Sequence, residues 1–167
     1  MTAKNSAMTR KEIAQLLKDQ VRRYYTEKCY AVNAEVGLNS GGNLRADLLA
    51  VNMKSEVVIC EIKSCPADFY VDHRAGKWQK YLDYANKLYF VVGLKTYEKI
   101  KKDIPKGIGI FVVRKFIDKR LSLPRYTMRM VQRAEYREIN PDTKMNLCIR
   151  LAFRNADFNR YARRSRQ

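Results

Sequence analysis

The sequence predicts a mixed α/β domain, one central sheet of about five strands flanked by helices and followed by a basic C-terminal helix. Three observations carry that expectation. Strand-like segments come as a run of three near the front, at 30–36, 44–51 and 56–63. After them, helical and strand-like segments alternate, the order of a sheet with helices packed on it. Two later runs, 88–92 and 108–113, are apolar without interruption, as expected of strands covered on both faces.

The first helix is expected over about 9–28. Thr9 followed by Glu12 forms a capping box, and Ile13, Leu16, Leu17, Val21 and Tyr24 recur at helical spacing. Tyr30, Val32, Ala34 and Val36 then alternate with Asn33 and Glu35, a half-buried strand. Residues 39–43 read Asn-Ser-Gly-Gly-Asn and form a turn. Segments 44–51 and 56–63 make a β-hairpin through the short link 52–55, and Pro66 closes its second strand. Helices are expected over about 77–86 and 97–102. Residues 114–127, with Pro124 and no clean period, read as a loop or irregular basic insertion, and 128–139 as a further strand. Asn140-Pro141 starts the last helix, Asn as cap and Pro at the first position, reaching about 163 with Met145, Ile149, Ala152 and Ala156 inward. Residues 164–167 read as a flexible tail. The organisation is one domain over 1–167 with its core at about 9–113, which suits a chain of 167 residues.

Composition narrows the function classes. No apolar run is long enough to cross a bilayer, and the polar, lysine-bearing start has no signal-peptide core, so the expectation is a cytoplasmic protein (host-cell cytoplasm if phage-encoded) with no membrane partner. Cys29, Cys60, Cys65 and Cys148 form no Cys-x-x-Cys pair, and the single histidine, His73, cannot complete a usual zinc set. The net charge is +17, unevenly spread: residues 1–93 carry 14 basic and 10 acidic side chains, residues 94–167 carry 20 and 7. Such a balance suits a polyanion, and nucleic acid is the polyanion favoured here.

Chemistry concentrates on the hairpin. Alternate residues of a strand share a face, so Glu61 and Lys63 point one way while Val58, Cys60 and Ile62 point the other. The hairpin brings Asp47 beside them. Two carboxylates and a lysine make a poor core, because ionised groups cost several kcal/mol to desolvate unless paired or metal-bound. They make a good Mg²⁺ site, since that ion is held by one or two carboxylates plus phosphate and water.

Asp47 followed by Glu61-x-Lys63, flanked by the apolar runs RADLLAV and VVICEIK, resembles the active-site signature of the PD-(D/E)XK nuclease superfamily, with Ala46 where that superfamily usually has Pro. The stretch 61–92 also resembles the MmcB-like group of proposed DNA-repair nucleases, at Asp68, Phe69, Asp72, Lys77, Trp78 and Tyr81. The resemblance implies a restriction-endonuclease-like core and a Mg²⁺-dependent deoxyribonuclease, an endonuclease in preference to an exonuclease, acting in repair, recombination or phage/host DNA processing. It implies that Asp47 and Glu61 hold the metal with the Ile62 carbonyl as a further ligand, that Mn²⁺ substitutes for Mg²⁺, and that Lys63 orients or helps deprotonate the attacking water.

A third carboxylate is assigned to Glu35, on the polar face of the first strand, with Glu12 and Glu27 of the first helix as alternatives. Lys77 and Lys80, together with Arg114, Lys115, Lys119, Arg120 and Arg125, are the candidate DNA contacts. Contacts of this kind grip the backbone and read little sequence. The expected assembly is a monomer or homodimer. The alternative function is a nucleic-acid-binding protein on the same fold without turnover; a basic RNA-binding protein would explain the charge but not the hairpin carboxylates.

Overall fold

In the computed structural model, residues 7–39, 41 and 43–164 are described, with side chains through Phe153. The chain runs α1 (Arg10–Thr26), β1 (Ala31–Gly37), β2 (Arg45–Val51), β3 (Val57–Lys63), α2 (Pro66–Arg74), α3 (Lys77–Tyr81), β4 (Lys87–Gly93), α4 (Leu94–Ile100), β5 (Gly109–Asp118), β6 (Leu123–Gln132) and α5 (Pro141–Arg164). The six strands form one mixed sheet in the order β1-β2-β3-β4-β5-β6. The first three pair antiparallel, β3-β4-β5 run parallel, and β5-β6 is antiparallel again. The mixed α/β class is as expected. No helix among the described residues is long and apolar enough to cross a membrane.

Each face of the sheet buries its own apolar set. On one, Leu17, Val21 and Tyr25 of α1 cover Leu48, Ala50, Val58, Cys60, Ile62, Val91, Phe111 and Val113. On the other, Phe69, Tyr81, Ile100, Leu147 and Leu151 from the remaining helices cover Leu49, Ile59, Phe90 and Val112. The capping box that starts α1 is complete: the Glu12 amide donates to Thr9 Oγ1 at 3.2 Å, and the Thr9 amide to Glu12 Oε2 at 2.7 Å. β3 is buried along its whole length, so whatever chemistry it bears sits inside the protein.

Five expectations need correction. The stretch 114–127 is not an irregular insertion: β5 continues to Asp118 and pairs with β6 from Leu123 onward, which adds a sixth strand and shifts the expected 128–139 strand forward. The helix expected over 77–86 is only the five residues of α3. Beyond it, the backbone amide of fully buried Asn86 donates to the Val57 carbonyl at 2.9 Å and its carbonyl accepts from the Arg137 amide at 2.9 Å, so its backbone groups are engaged outside any helix. A helix stands unforeseen at Pro66–Arg74, so His73 is helical, stacked on Trp78, and not in a loop. On α5 the inward pair is Leu147 and Leu151, while Met145, Ile149 and Ala152 are exposed; Ala156 lies outside the described side chains. That helix has two apolar stripes, and only one can meet the sheet. The last three residues, 165–167, lie outside the described residues, and α5 continues through Arg164, which had been assigned to the tail.

Candidate active site

β2 and β3 hold a regular ladder from Val51↔Val57 to Leu48↔Cys60, and one step further side chains take over. The Asp47 amide donates to Glu61 Oε1 at 3.1 Å, and the Ile62 amide donates to Asp47 Oδ2 at 2.8 Å. Each carboxylate thus spends one oxygen on an opposing backbone amide where the strands part, and this fixes both side chains in one place. Glu61 is 1% exposed, and its Oε2 has no hydrogen-bond partner among the described residues. Two ammonium groups face that oxygen without bonding it, Lys63 Nζ at 3.6 Å and Lys77 Nζ at 3.8 Å.

The titration of the cluster follows from burial. Desolvation first, and the neighbouring Asp47 charge second, push the Glu61 carboxyl up to about 7; Lys63, the Asp47 amide and Lys77 only partly offset them. For Lys63 the largest effect, burial, disfavours the charge, but Glu61, Asp72 and Asp47 together outweigh it and raise the ammonium above its ordinary value. Lys63 is therefore a cation at neutral pH. Burial also raises the Tyr81 phenol, whose hydroxyl donates to the Arg45 carbonyl at 2.9 Å and so ties α3 to the start of β2.

Asp72 is the member that sequence reasoning did not select as a site residue. It accepts from Lys63 Nζ and lies 3.5 Å from Lys77 Nζ, so one carboxylate spans both lysines. α2 puts it there. Pro66 at the first turn starts the helix, Phe69 anchors it edge-on against Phe90 at 5.5 Å, and Asp72, three residues on, falls over Lys63. Gly76, with φ +62°, then turns the chain sharply enough to return Lys77 to the same carboxylate. Pro66 at a helix start and the Phe69/Asp72 spacing were the available signals.

The remaining candidates are dispersed. Glu35 ion-pairs with Lys18 and with Arg45 Nε at 2.9 Å. Its φ of +55° interrupts the regular strand alternation at that position. Glu12 is engaged in the α1 cap, and Glu27 pairs with Arg23 at 2.7 Å. Among the described residues, no group of three or more His, Cys, Asp or Glu is placed to hold a metal. Two carboxylates remain, one with a buried oxygen lacking a bond, and that donor set fits a hard divalent ion that completes its shell with water and phosphate. Lys77 and Lys80 line a cleft of about 490 Å³ with Asn39, Asn43, Asp83 and Tyr84, opening beside the cluster. Arg114, Lys115, Lys119, Arg120 and Arg125 are all exposed on β5, β6 and their turn, with Lys115 on the α1 side of the sheet.

No curated protein matches the chain. Among solved structures it is similar to SPO1766, a protein of unknown function from Silicibacter pomeroyi: 22% identical, covering 90% of each chain, with a TM-score of 0.71. At that identity the likeness speaks for the fold. The family model described as DNA repair protein MmcB-like matches residues 2–164, nearly the whole sequence, and the chain belongs to that MmcB-like family.

Proposed function

We propose that this protein is a metal-dependent DNA endonuclease of the PD-(D/E)XK type, with Asp47 and Glu61 holding Mg²⁺, or Mn²⁺ in its place, and the Ile62 carbonyl as a further ligand. The observation that carries the reading is the unbonded, buried Glu61 Oε2, a few ångströms from Asp47-bearing backbone and two lysines. A carboxylate oxygen left in that state is costly in a purely structural role. A bound Mg²⁺ would supply Lewis-acid stabilisation of the charge that develops on the phosphate. Lys63, kept cationic by its neighbours, would orient the attacking water and offset the negative charge of the phosphate. Asp72 would hold Lys63 and Lys77 in place, and Lys77 and Lys80 would guide the backbone along the adjoining cleft. The surplus of basic side chains after residue 93 favours a polyanionic substrate gripped by its backbone, and the family description favours DNA.

A second reading, a DNA-binding protein that does not cut, is favoured by the absence of a third metal-competent side chain among the described residues. Supercoiled-plasmid cleavage with Mg²⁺ and with Mn²⁺ separates the two. The nuclease nicks or linearises the plasmid, and Asp47→Ala and Lys63→Ala abolish the activity while DNA binding persists. Binding without cleavage by the wild type, on paired, single-stranded and branched DNA alike, would sink the enzymatic reading.

A further inference from the structure

The outer halves of β5 and β6 form a two-stranded ribbon paired from Arg114↔Thr127 to Asp118↔Leu123. Asp118 holds its end together. Its Oδ1 accepts from the Arg120 and Leu121 amides at 2.9 and 3.4 Å, and its Oδ2 meets Arg125 Nε at 3.2 Å. Phe116, Ile117, Leu121 and Leu123 stand in water along this ribbon, 44 to 60% exposed. A single exposed apolar residue is ordinary, but four within eight positions call for a partner. They are interleaved with charge, since residues 114–129 carry six basic side chains and one acidic.

The two faces of the ribbon differ. On the α1 side, Tyr126 and Met128 pack into the buried set beneath that helix, which fixes the root. The other side continues the face that bears Glu61 and Lys63. The register aligns Lys63, Val92, Val112 and Arg129 in one row across four strands, and Arg114 with Thr127, then Phe116 with Arg125, follow outward on that same face. Neither Arg114 nor Arg129 has an acidic partner among the described residues.

We propose that the ribbon is a wedge for DNA at a junction between paired and unpaired strands, such as a fork or branch. The inference rests on the nuclease reading for its orientation toward the site and adds the substrate class. The cations grip phosphates on any DNA, whereas apolar side chains gain only where base faces have lost their stacking neighbours. Phe116 offers a ring for such a base with Leu123 on the same face, while Ile117 presents the opposite face and Leu121 the turn, so an inserted ribbon meets both separated strands with apolar surface. An anionic lipid surface would attract similar chemistry; DNA is favoured because the arginines extend the sheet face of the Asp47–Glu61–Lys63 cluster.

The test is the affinity of the full-length chain, with EDTA present, for a forked oligonucleotide and for a duplex of equal length, together with 2-aminopurine fluorescence beside the junction. The wild type should bind the fork at least tenfold more tightly and change the 2-aminopurine signal. Ile117→Ser/Leu121→Ser/Leu123→Ser should lose both effects while duplex affinity stays within twofold, and Leu121→Ser alone, in the exposed turn, should lose part of the preference with the fold undisturbed. Equal affinity for fork and duplex in the wild type, or a fork preference that survives the triple change, overturns the wedge. So does an effect of these changes only on anionic-vesicle binding or on self-association, which would assign the ribbon to a membrane or to a second copy. Binding in EDTA does not depend on cleavage, so failure of the wedge and failure of the nuclease reading register separately.

Discussion

Asp47 and Glu61 are held by each other's strands. The Asp47 amide donates to Glu61 Oε1 at 3.1 Å, and Asp47 Oδ2 accepts from the residue after Glu61, Ile62, at 2.8 Å. Two like charges are thereby fixed close together without a bond between them, and the cost falls on Glu61, the more deeply buried of the pair. Most of what can be measured at this site follows from that arrangement.

Stability without metal should fall as the pH rises. The Glu61 carboxyl is raised to about 7 in the folded protein from an ordinary value of 4.5, so the native state holds this proton more tightly than the unfolded chain. The contribution is fully present below about pH 4.5 and is lost as the pH passes through 7, on the order of 3 kcal/mol in all. Glu61→Gln removes it. Urea unfolding in EDTA should find the variant more stable than wild type at pH 8 and little different at pH 4; equal stabilities at both would show that Glu61 is not strained.

Divalent metal should reverse that penalty. Mg²⁺ at about a hundred times its Kd would add about 3 kcal/mol, visible as a rise in Tm. Asp47→Asn should keep the fold, because its amide oxygen can still accept from Ile62, and lose the rise. A Tm response to Mg²⁺ of the same size in the variant would place the ion elsewhere.

Asp72 should matter for turnover more than for binding. In Asp72→Asn the counter-charge shared by Lys63 and Lys77 is gone, and both ammonium groups are left facing Glu61 alone. Groups that orient other site residues in this way typically contribute 10- to 100-fold, so a loss of about that size in kcat is expected with KM for DNA little changed. Asp72→Glu should recover part of it. A matched rise in KM would instead make Asp72 part of the DNA contact.

Asn86→Ala should be destabilising by about 3 kcal/mol, since it leaves the Val57 amide and the Arg137 carbonyl without their side-chain partners inside the protein. Its Mg²⁺-induced rise in Tm should match that of the wild type. Chemical denaturation with and without Mg²⁺ separates this scaffold defect from damage at the site.

The hairpin that bears Asp47, Glu61 and Lys63 was legible because its strands are nearly continuous apolar runs, with which carboxylates and a lysine at inward positions conflict. The first helix was legible through its cap. α2 was missed because its N-cap, Cys65, offers no side-chain bond and only Phe69 of the helix is buried, leaving no periodic stripe to read. The ribbon was missed for the opposite reason: its apolar residues are exposed, Pro124 interrupts the pattern, and the pairing that makes it a strand lies in another segment of the chain. The left-handed backbone of Glu35 inside a strand is a feature that no local pattern announces.

The row from Lys63 to Arg129 also makes the sheet a ruler. Three strand spacings separate the two positions, about 14 Å. A hydrogen-bonded sheet with buried neighbours on both faces does not stretch, so that length is constant from one encounter to the next. Measured along the duplex axis, it corresponds to about four phosphate steps of one strand. DNA held by the ribbon would therefore present the same phosphate to Lys63 each time, and the cut ends should lie at one fixed offset from the junction whatever the sequence between them.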